Sequence, residues 1–315
     1  MKHKMSTLDM QVTVANMYYR EGCSQEQIAQ RLKVSRPTVT RVLKACLTDG
    51  IVTIHIKQTG SAMRALEDRL ALAFGLRRVI IVPSHPHYAV CQDRVGLAAA
   101  AHLRSVLAED ALIGLSWGST LTHILDHIGE TDKPAADVIQ ILGDPFFNRE
   151  SNAAFMTVSL ANTLGGRAFV LPAPMLVQSA ALRDMLLAEP HMRELYNRFA
   201  KVTVAMLGLG GITADSHAYL THGEEVAAAF GEVVRCGAVC DFCGAFLRED
   251  GSCVESELDG MTFCMPQEQL RRVPEVVAVA CGSQKAHAAI AALRSGCVHS
   301  FVLDESLAKA ILEKV

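Results

Sequence analysis

The chain has 315 residues, half of them apolar and a fifth charged. That composition excludes a disordered or fibrous polymer, and at about 100–200 residues per domain the length suggests two domains. Its apolar runs, such as 79–83 and 276–280, are of strand length, far below the ~20 residues a membrane span needs.

Residues 1–9 carry Lys2, His3, Lys4 and Asp9 with no apolar run behind them, so a cytoplasmic protein without a signal peptide is expected. Ten scattered cysteines then read as reduced thiols. The formal net charge of -3 divides unequally: residues 1–57 hold nine Lys/Arg against four Asp/Glu, net +5, and the remainder is net -8. A small basic head on a larger acidic body suggests a polyanion-binding unit joined to a second domain.

Leu8, Val12, Ala15, Met17 and Tyr18 recur at approximate helical spacing and predict a first helix with its inner face on those residues, stopping at Gly22. Ser24 opens a second helix as a capping box with Gln27 and sets Ile28, Ala29 and Leu32 on one face. After a turn at Lys33-Val34, Ser35 caps a third helix with Pro37 in its first turn, where a missing N–H costs nothing. Val39, Val42, Leu43 and Cys46 then face inward, leaving Arg36, Thr38, Thr40, Arg41 and Lys44 outside. Two helices on a tight turn, the second apolar inside and basic outside, predict a helix-turn-helix. Residues 51–56 alternate as a short strand, like a wing.

On this pattern Arg36 reaches base edges, Thr38 and Thr40 make shorter contacts, and Lys33, Arg41 and Lys44 meet phosphates. Ser24, Gln25, Ser35 and Pro37, at the two helix starts, complete the expected DNA-binding set. Residues 1–57 are thus a winged helix-turn-helix domain, and 58–315 a second domain.

Beyond it, strand-like runs alternate with helical segments. Strands are expected at 78–83, 111–116, 137–142, 167–171, 202–207, 276–280 and 300–303, and helices at 63–74, 95–107 and 120–128. Such alternation predicts an α/β domain, a doubly wound and mostly parallel sheet covered on both faces. Ligands bind such sheets beyond the carboxyl ends of the strands. Three glycine-rich turns fall there: Trp117-Gly118-Ser119-Thr120, Gly208-Leu209-Gly210-Gly211 and Cys281-Gly282-Ser283-Gln284-Lys285. Bare N–H groups, hydroxyls and a helix start suit a phosphate or carboxylate, and Lys285 adds positive charge. Neither a P-loop nor a dinucleotide fingerprint is present.

Cys236, Cys240, Cys243 and Cys253 include a Cys-x-x-Cys. Their spacing lacks the paired knuckles of a zinc site and reads as small buried packing, so neither metal nor cofactor is expected. The twelve histidines are scattered.

The segments 17–29 and 35–43 of the head resemble the SorC/DeoR-type family of bacterial transcriptional regulators. So do Ile113-Gly114-Leu115-Ser116-Trp117-Gly118-Ser119-Thr120-Leu121, Gln140-Ile141-Leu142-Gly143, Leu171-Pro172-Ala173-Pro174, Gly208-Leu209-Gly210-Gly211, 237–244 and 282–286. These motifs run in family order across essentially the whole chain. The resemblance implies a sugar-phosphate-binding and oligomerisation domain, of the type shared with sugar-phosphate isomerases and deaminases, behind the DNA-binding head. It further implies dimers or tetramers on operator DNA whose affinity changes with a phosphorylated sugar effector. Carried over by position, Gly118, Ser119 and Thr120 hold the phosphate. Gln140, Asp241 and Lys285 contact sugar hydroxyls or phosphate, and Pro172 lines the pocket.

Leu142 stands where some members carry a Schiff-base lysine, which argues against covalent capture. Asp144-Pro145-Phe146-Phe147 replaces smaller residues, and Cys240 and Cys243 stand where glycines are common. The alternative is an isomerase- or deaminase-like enzyme fused to the same head. Asp241 or Asp144 would then be its base, although neither has a partner legible in the sequence. Glu67 and Arg69 are expected at dimer contacts from their position alone. A regulator rather than an enzyme is the expectation.

Overall fold

The computed structural model describes residues 7–52, 61–129, 135–145, 152–212, 219 and 223–315. The chain divides into two compact units, residues 1–60 and 61–315.

In the first unit, α1 (Thr7–Ala15) runs into a π-helical turn (Asn16–Arg20) and is followed by α2 (Gln25–Leu32) and α3 (Arg36–Thr48). The Ser24–Gln27 capping box forms in both directions, with Gln27 N–H donating to Ser24 Oγ at 3.2 Å and Ser24 N–H donating to Gln27 Oε1 at 2.8 Å. Lys33 turns the chain in the left-handed conformation at φ 54°, and Ser35 accepts from Thr38 N–H to start α3. Val39, Leu43 and Cys46 are buried as the pattern predicts, with Val42 half-buried.

The face predicted for α1 needs correction. Leu8, Val12 and Tyr18 are exposed, and the helix packs through Gln11, Val14, Ala15 and Met17. The π turn inserts a residue into the helical phase beyond Ala15, which bears on Tyr18, and Gln11 is satisfied where it is buried. Its side-chain amide donates to Asp49 Oδ2 at 2.6 Å, and its backbone carbonyl accepts from Cys46 Sγ at 3.4 Å. A polar residue thus holds an inner position that a hydrophobic count assigns elsewhere. Of the predicted wing, Ile51 and Val52 are described and the rest lies outside the described residues.

The second unit is built on a seven-stranded sheet. It begins with α4 (Ser61–Phe74), β1 (Arg78–Val82), α5 (Tyr88–Val106), β2 (Leu112–Leu115) and α6 (Ser119–His127). β3 (Ala136–Gln140), α7 (Ala153–Thr163), β4 (Gly165–Phe169), α8 (Ala180–Leu187), α9 (Pro190–Phe199) and β5 (Val204–Gly208) come next. β6 (Gly210–Gly211), α10 (Glu224–Arg235), β7 (Ala238–Phe242), β8 (Ala245–Arg248) and α11 (Gln267–Leu270) follow. The chain ends with β9 (Glu275–Ala280), α12 (Ala286–Arg294), β10 (Ser300–Asp304) and α13 (Glu305–Leu312).

The strand order is β1-β10-β9-β5-β2-β3-β4, and every pairing is parallel. Alternate residues of the central strands enter different cores, which is why their runs are apolar throughout. In β5, Val204 and Met206 pack with α5, α6 and α7, while Ala205 and Leu207 pack with α10, α12 and α13. Beside this sheet, β6, β7 and β8 form a small antiparallel sheet that strand-length runs do not announce.

Side chains bond to both outermost strands of the large sheet. On β1, the Ile81 N–H donates to Glu67 Oε1 at 3.0 Å. Glu67 therefore serves the sheet of its own chain, and only Arg69 of the expected dimer pair remains exposed. On β4, Arg167 grips Asp137 of β3, with Nη2 to Oδ2 at 2.7 Å. No helix among the described residues is long and apolar enough to cross a membrane.

Candidate ligand site and nucleic-acid surface

The sheet changes winding direction between β2 and β5: β2, β3 and β4 proceed outward one way, and β5, β9 and β10 the other. Such a switch point leaves a crevice at the strand ends, because the two neighbouring loops depart to opposite faces. Ser116 ties the crevice floor together. Its N–H donates to Met206 O at 3.1 Å, and its hydroxyl accepts from Gly208 N–H at 3.2 Å.

The three glycine-rich turns converge here on a cavity of about 240 Å³. The first turn brings Gly118 to Thr120, the start of α6, whose leading amides have no intrahelical acceptor and carry the positive end of the dipole. Ser119 Oγ accepts from Gln92 Nε2 of α5 at 2.8 Å, which orients the hydroxyl. Trp117 lies in the wall with its indole N–H donating to Gly143 O at 2.9 Å, so the ring plane is fixed.

The second and third turns meet at Lys285, whose Nζ donates to Leu209 O at 2.9 Å. Burial lowers the Lys285 pKa, opposed by Cys240, Cys281 and Asp241. Gly282 is needed in the third turn: its φ is +91°, and a Cβ would lie 2.4 Å from the Gln284 side chain.

Asp241 enters from β7 and is held on both oxygens. Oδ1 accepts from Gly244 N–H at 3.0 Å, and Oδ2 accepts a short bond from the Tyr219 hydroxyl. Burial raises the Asp241 pKa, opposed by Tyr219, the Gly244 amide and Lys285. Tyr219 in turn stacks on Phe230 at 4.5 Å. The β7–β8 hairpin turns on Cys243 (φ 53°) and Gly244 (φ 80°), a two-residue turn of primed type, and this places Cys243 in the cavity wall.

Of the seven residues expected at the ligand, the fold brings Gly118, Ser119, Thr120, Asp241 and Lys285 together. Gln140 and Pro172 stand apart from this cavity. Gln140 is fully buried with its amide occupied, donating to Leu142 O at 2.8 Å and accepting from Leu171 N–H at 3.2 Å. Pro172 is exposed. Tyr88, Ser116, Trp117 and Cys281 also line the cavity. The last three flank turns already visible in the sequence, whereas Tyr88 and the Tyr219 brace have no local signal.

Among the described residues no group of three or more His, Cys, Asp or Glu is placed to hold an ion. Cys240 and Cys243 are buried, and burial pushes both thiols up.

In the first unit, Lys33, Arg36, Arg41 and Lys44 are exposed on and beside α3. The smaller residues of the expected DNA-binding set are joined to one another. Thr40 donates to Gln25 Oε1 at 2.8 Å, pinning α3 to α2, and the Ser35 and Thr38 hydroxyls lie 2.8 Å apart. Ser24 is occupied by its capping box and Pro37 fills the first turn of α3. Exposed cations therefore stand on a frame of internally satisfied hydroxyls, a surface suited to phosphates and guanine edges.

Comparison with known proteins gives concordant results for both units. Residues 59–313 match the family model described as a sugar-binding domain, and residues 8–58 match the MarR family. The transcriptional regulator LsrR of Klebsiella pneumoniae subsp. pneumoniae is 29% identical over 314 residues, spanning 95% of this chain and 91% of its own. The sorbitol operon regulator of Klebsiella pneumoniae is 24% identical over 310 residues, spanning 96% and 97%. The crystal structure of full-length SorC from that organism superposes with a TM-score of 0.77 at 22% identity, covering 98% of this chain and all of that one, a likeness of fold.

Proposed function

The chain belongs to the sugar-binding family of SorC/DeoR-type transcriptional regulators, and on that premise we propose that it controls a carbohydrate-catabolism operon through operator binding switched by a phosphorylated sugar. The observation that carries this reading is the convergence of the α6 amino terminus, Lys285 and Asp241 on one cavity at the switch point. An anion-binding helix start and a cation suit a phosphate. A carboxylate held on Tyr219 and Gly244 suits a hydroxyl donor nearby, so the pair selects a ligand that carries both groups.

In this reading Gly118, Ser119 and Thr120 take the phosphate, Lys285 neutralises it, and Asp241 accepts from a sugar hydroxyl. Trp117 offers a flat apolar wall to the ring. Ligand binding then favours one arrangement of paired heads over another, as a homodimer or homotetramer in the cytoplasm would allow.

The second reading, a sugar-phosphate isomerase carrying a DNA-binding head, is favoured by one observation: the raised pKa of Asp241 beside Tyr219 is what a general base needs. One experiment separates the two. Purified protein is incubated with a panel of aldose and ketose phosphates, followed by thermal shift and by product analysis. Stabilisation without turnover supports the regulator, with about 2.7 kcal/mol expected for a ligand at 100-fold its Kd. Turnover would establish the enzyme, and no shift with any phosphorylated sugar would sink the effector assignment.

A further inference from the structure

Asp304 ends β10 and is completely buried, and the groups that donate to it are all neutral. One of its oxygens does what an N-cap requires: Oδ2 accepts from Ser306 N–H at 3.1 Å and from the Ser306 hydroxyl at 2.5 Å, opening α13. That function alone is served by a neutral serine or asparagine. Asp304 does more. Oδ2 also accepts from the Ser84 hydroxyl at 2.5 Å, and Oδ1 accepts from Gly282 N–H at 2.7 Å.

One carboxylate thus joins three segments: the loop between β1 and α5, the turn between β9 and α12, and the start of α13. Two of these feed the cavity. Ser84 precedes α5, whose first residue Tyr88 donates its hydroxyl to Cys281 O at 3.3 Å in the cavity wall. Gly282 opens the turn that delivers Lys285. Burial works against the charge on Asp304, but the Ser306 and Ser84 hydroxyls and the Gly282 and Ser306 amides outweigh it and hold the carboxyl below its usual range. A buried ion satisfied only by neutral donors is costly to desolvate, and its value lies in the strength and direction of the bonds it accepts.

We infer that Asp304 is the positioning residue of the effector site: its carboxylate fixes the Gly282 amide and the Ser84 loop together, and so sets where Lys285 and Tyr88 meet the ligand. This rests on the reading of the cavity as the effector site, but the first arm of the test does not.

Asp304→Asn keeps size and one acceptor while removing the charge and half of the acceptor capacity. Ile311→Val, a core deletion on α13, is the control for lost stability without a change at the turn. In the ligand-free full-length chain, amide exchange of residues 281–285 should rise about tenfold in Asp304→Asn beyond any rise in Ile311→Val. The Gly282 amide proton should also lose its downfield position. Equal protection in the two variants would overturn the inference whatever the ligand is.

In the second arm, fluorescence of the single tryptophan, Trp117, is titrated with ribose 5-phosphate, fructose 6-phosphate and inorganic phosphate. For any probe that binds the wild type, Asp304→Asn should weaken binding about tenfold and Ile311→Val should not. Equal weakening would make Asp304 merely structural. Quenching by no probe would count against the effector reading, and the role of Asp304 at the turn would then stand or fall on the exchange rates.

Discussion

Lys285 and Asp241 face one cavity, and each is pushed toward its neutral form by burial. A phosphate arriving at the α6 amino terminus reverses that for the lysine, since an anion favours the ammonium. Lys285→Met should therefore remove the ligand effect, with at least about a tenfold loss of effector affinity, while leaving DNA binding unchanged. Ser119→Ala should cost less, because backbone amides supply most of the anion contacts there. Both are read by Trp117 fluorescence.

At the opposite end of the sheet, His102 is buried with its pKa lowered by burial and by Arg78, against the opposing charge of Glu275 3.8 Å away. Its folded pKa lies below the unfolded value of about 6.5, so the unfolded chain binds more protons. This contribution to stability is therefore fully present above about pH 6.5 and is lost as pH falls below it. Urea denaturation between pH 7.5 and 5 should show the fall, and His102→Gln should flatten it. An unchanged slope in the variant would place the acid sensitivity elsewhere.

Among the elements, α2 and α3 combine side-chain caps with a small shared core. The small core of the head comprises Val14, Met17, Ile28, Ala29, Val39 and Leu43, so one cap is a large share of its stability. Ser24→Ala removes the capping box and should lower the head's stability by about 1 kcal/mol, measured as a shift of its own unfolding transition. Arg36→Ala with Arg41→Ala should leave that transition in place and abolish specific DNA binding. Intact operator affinity in the double variant would move the recognition surface off α3.

These elements show what a sequence displays and what it conceals. Capping at Ser24 and Ser35 is local chemistry over three residues, and the strand runs ending in Gly118, Gly208 and Gly282 are local too, so the head and three sides of the site were legible. Tyr219 bonds Asp241 across 22 residues, and Ser84 bonds Asp304 across 220. No periodicity carries such pairs. Gln140 is a motif residue whose amide is consumed by backbone groups at 142 and 171, a satisfaction visible only after folding. The inner face of α1 escaped for a similar reason, since the buried Gln11 depends on Asp49. Cys243 stands at a left-handed turn position of the hairpin, where side chains other than glycine or asparagine are unusual, and so the hairpin gave no turn signal.

At the scale of the whole molecule, a head of net +5 and a remainder of net -8 divide the work between a polyanion and a small ligand. Affinity for DNA should fall steeply with salt through release of counterions from the contacts of Lys33, Arg36, Arg41 and Lys44. Ligand affinity, set in the cavity by a helix start and one lysine, should change far less. A switch needs only a differential of about 1–3 kcal/mol between ligand-bound and ligand-free arrangements of the heads.

We propose that one small phosphorylated ligand in the 240 Å³ cavity governs DNA binding. Fluorescence anisotropy of the full-length protein on a DNA fragment selected for specific binding, with and without each sugar phosphate, is the decisive measurement. A change of about tenfold or more in DNA affinity is predicted for at least one phosphorylated sugar, absent with the unphosphorylated sugar and absent in Lys285→Met. DNA affinity that no sugar phosphate moves, or a response that survives Lys285→Met intact, would contradict it.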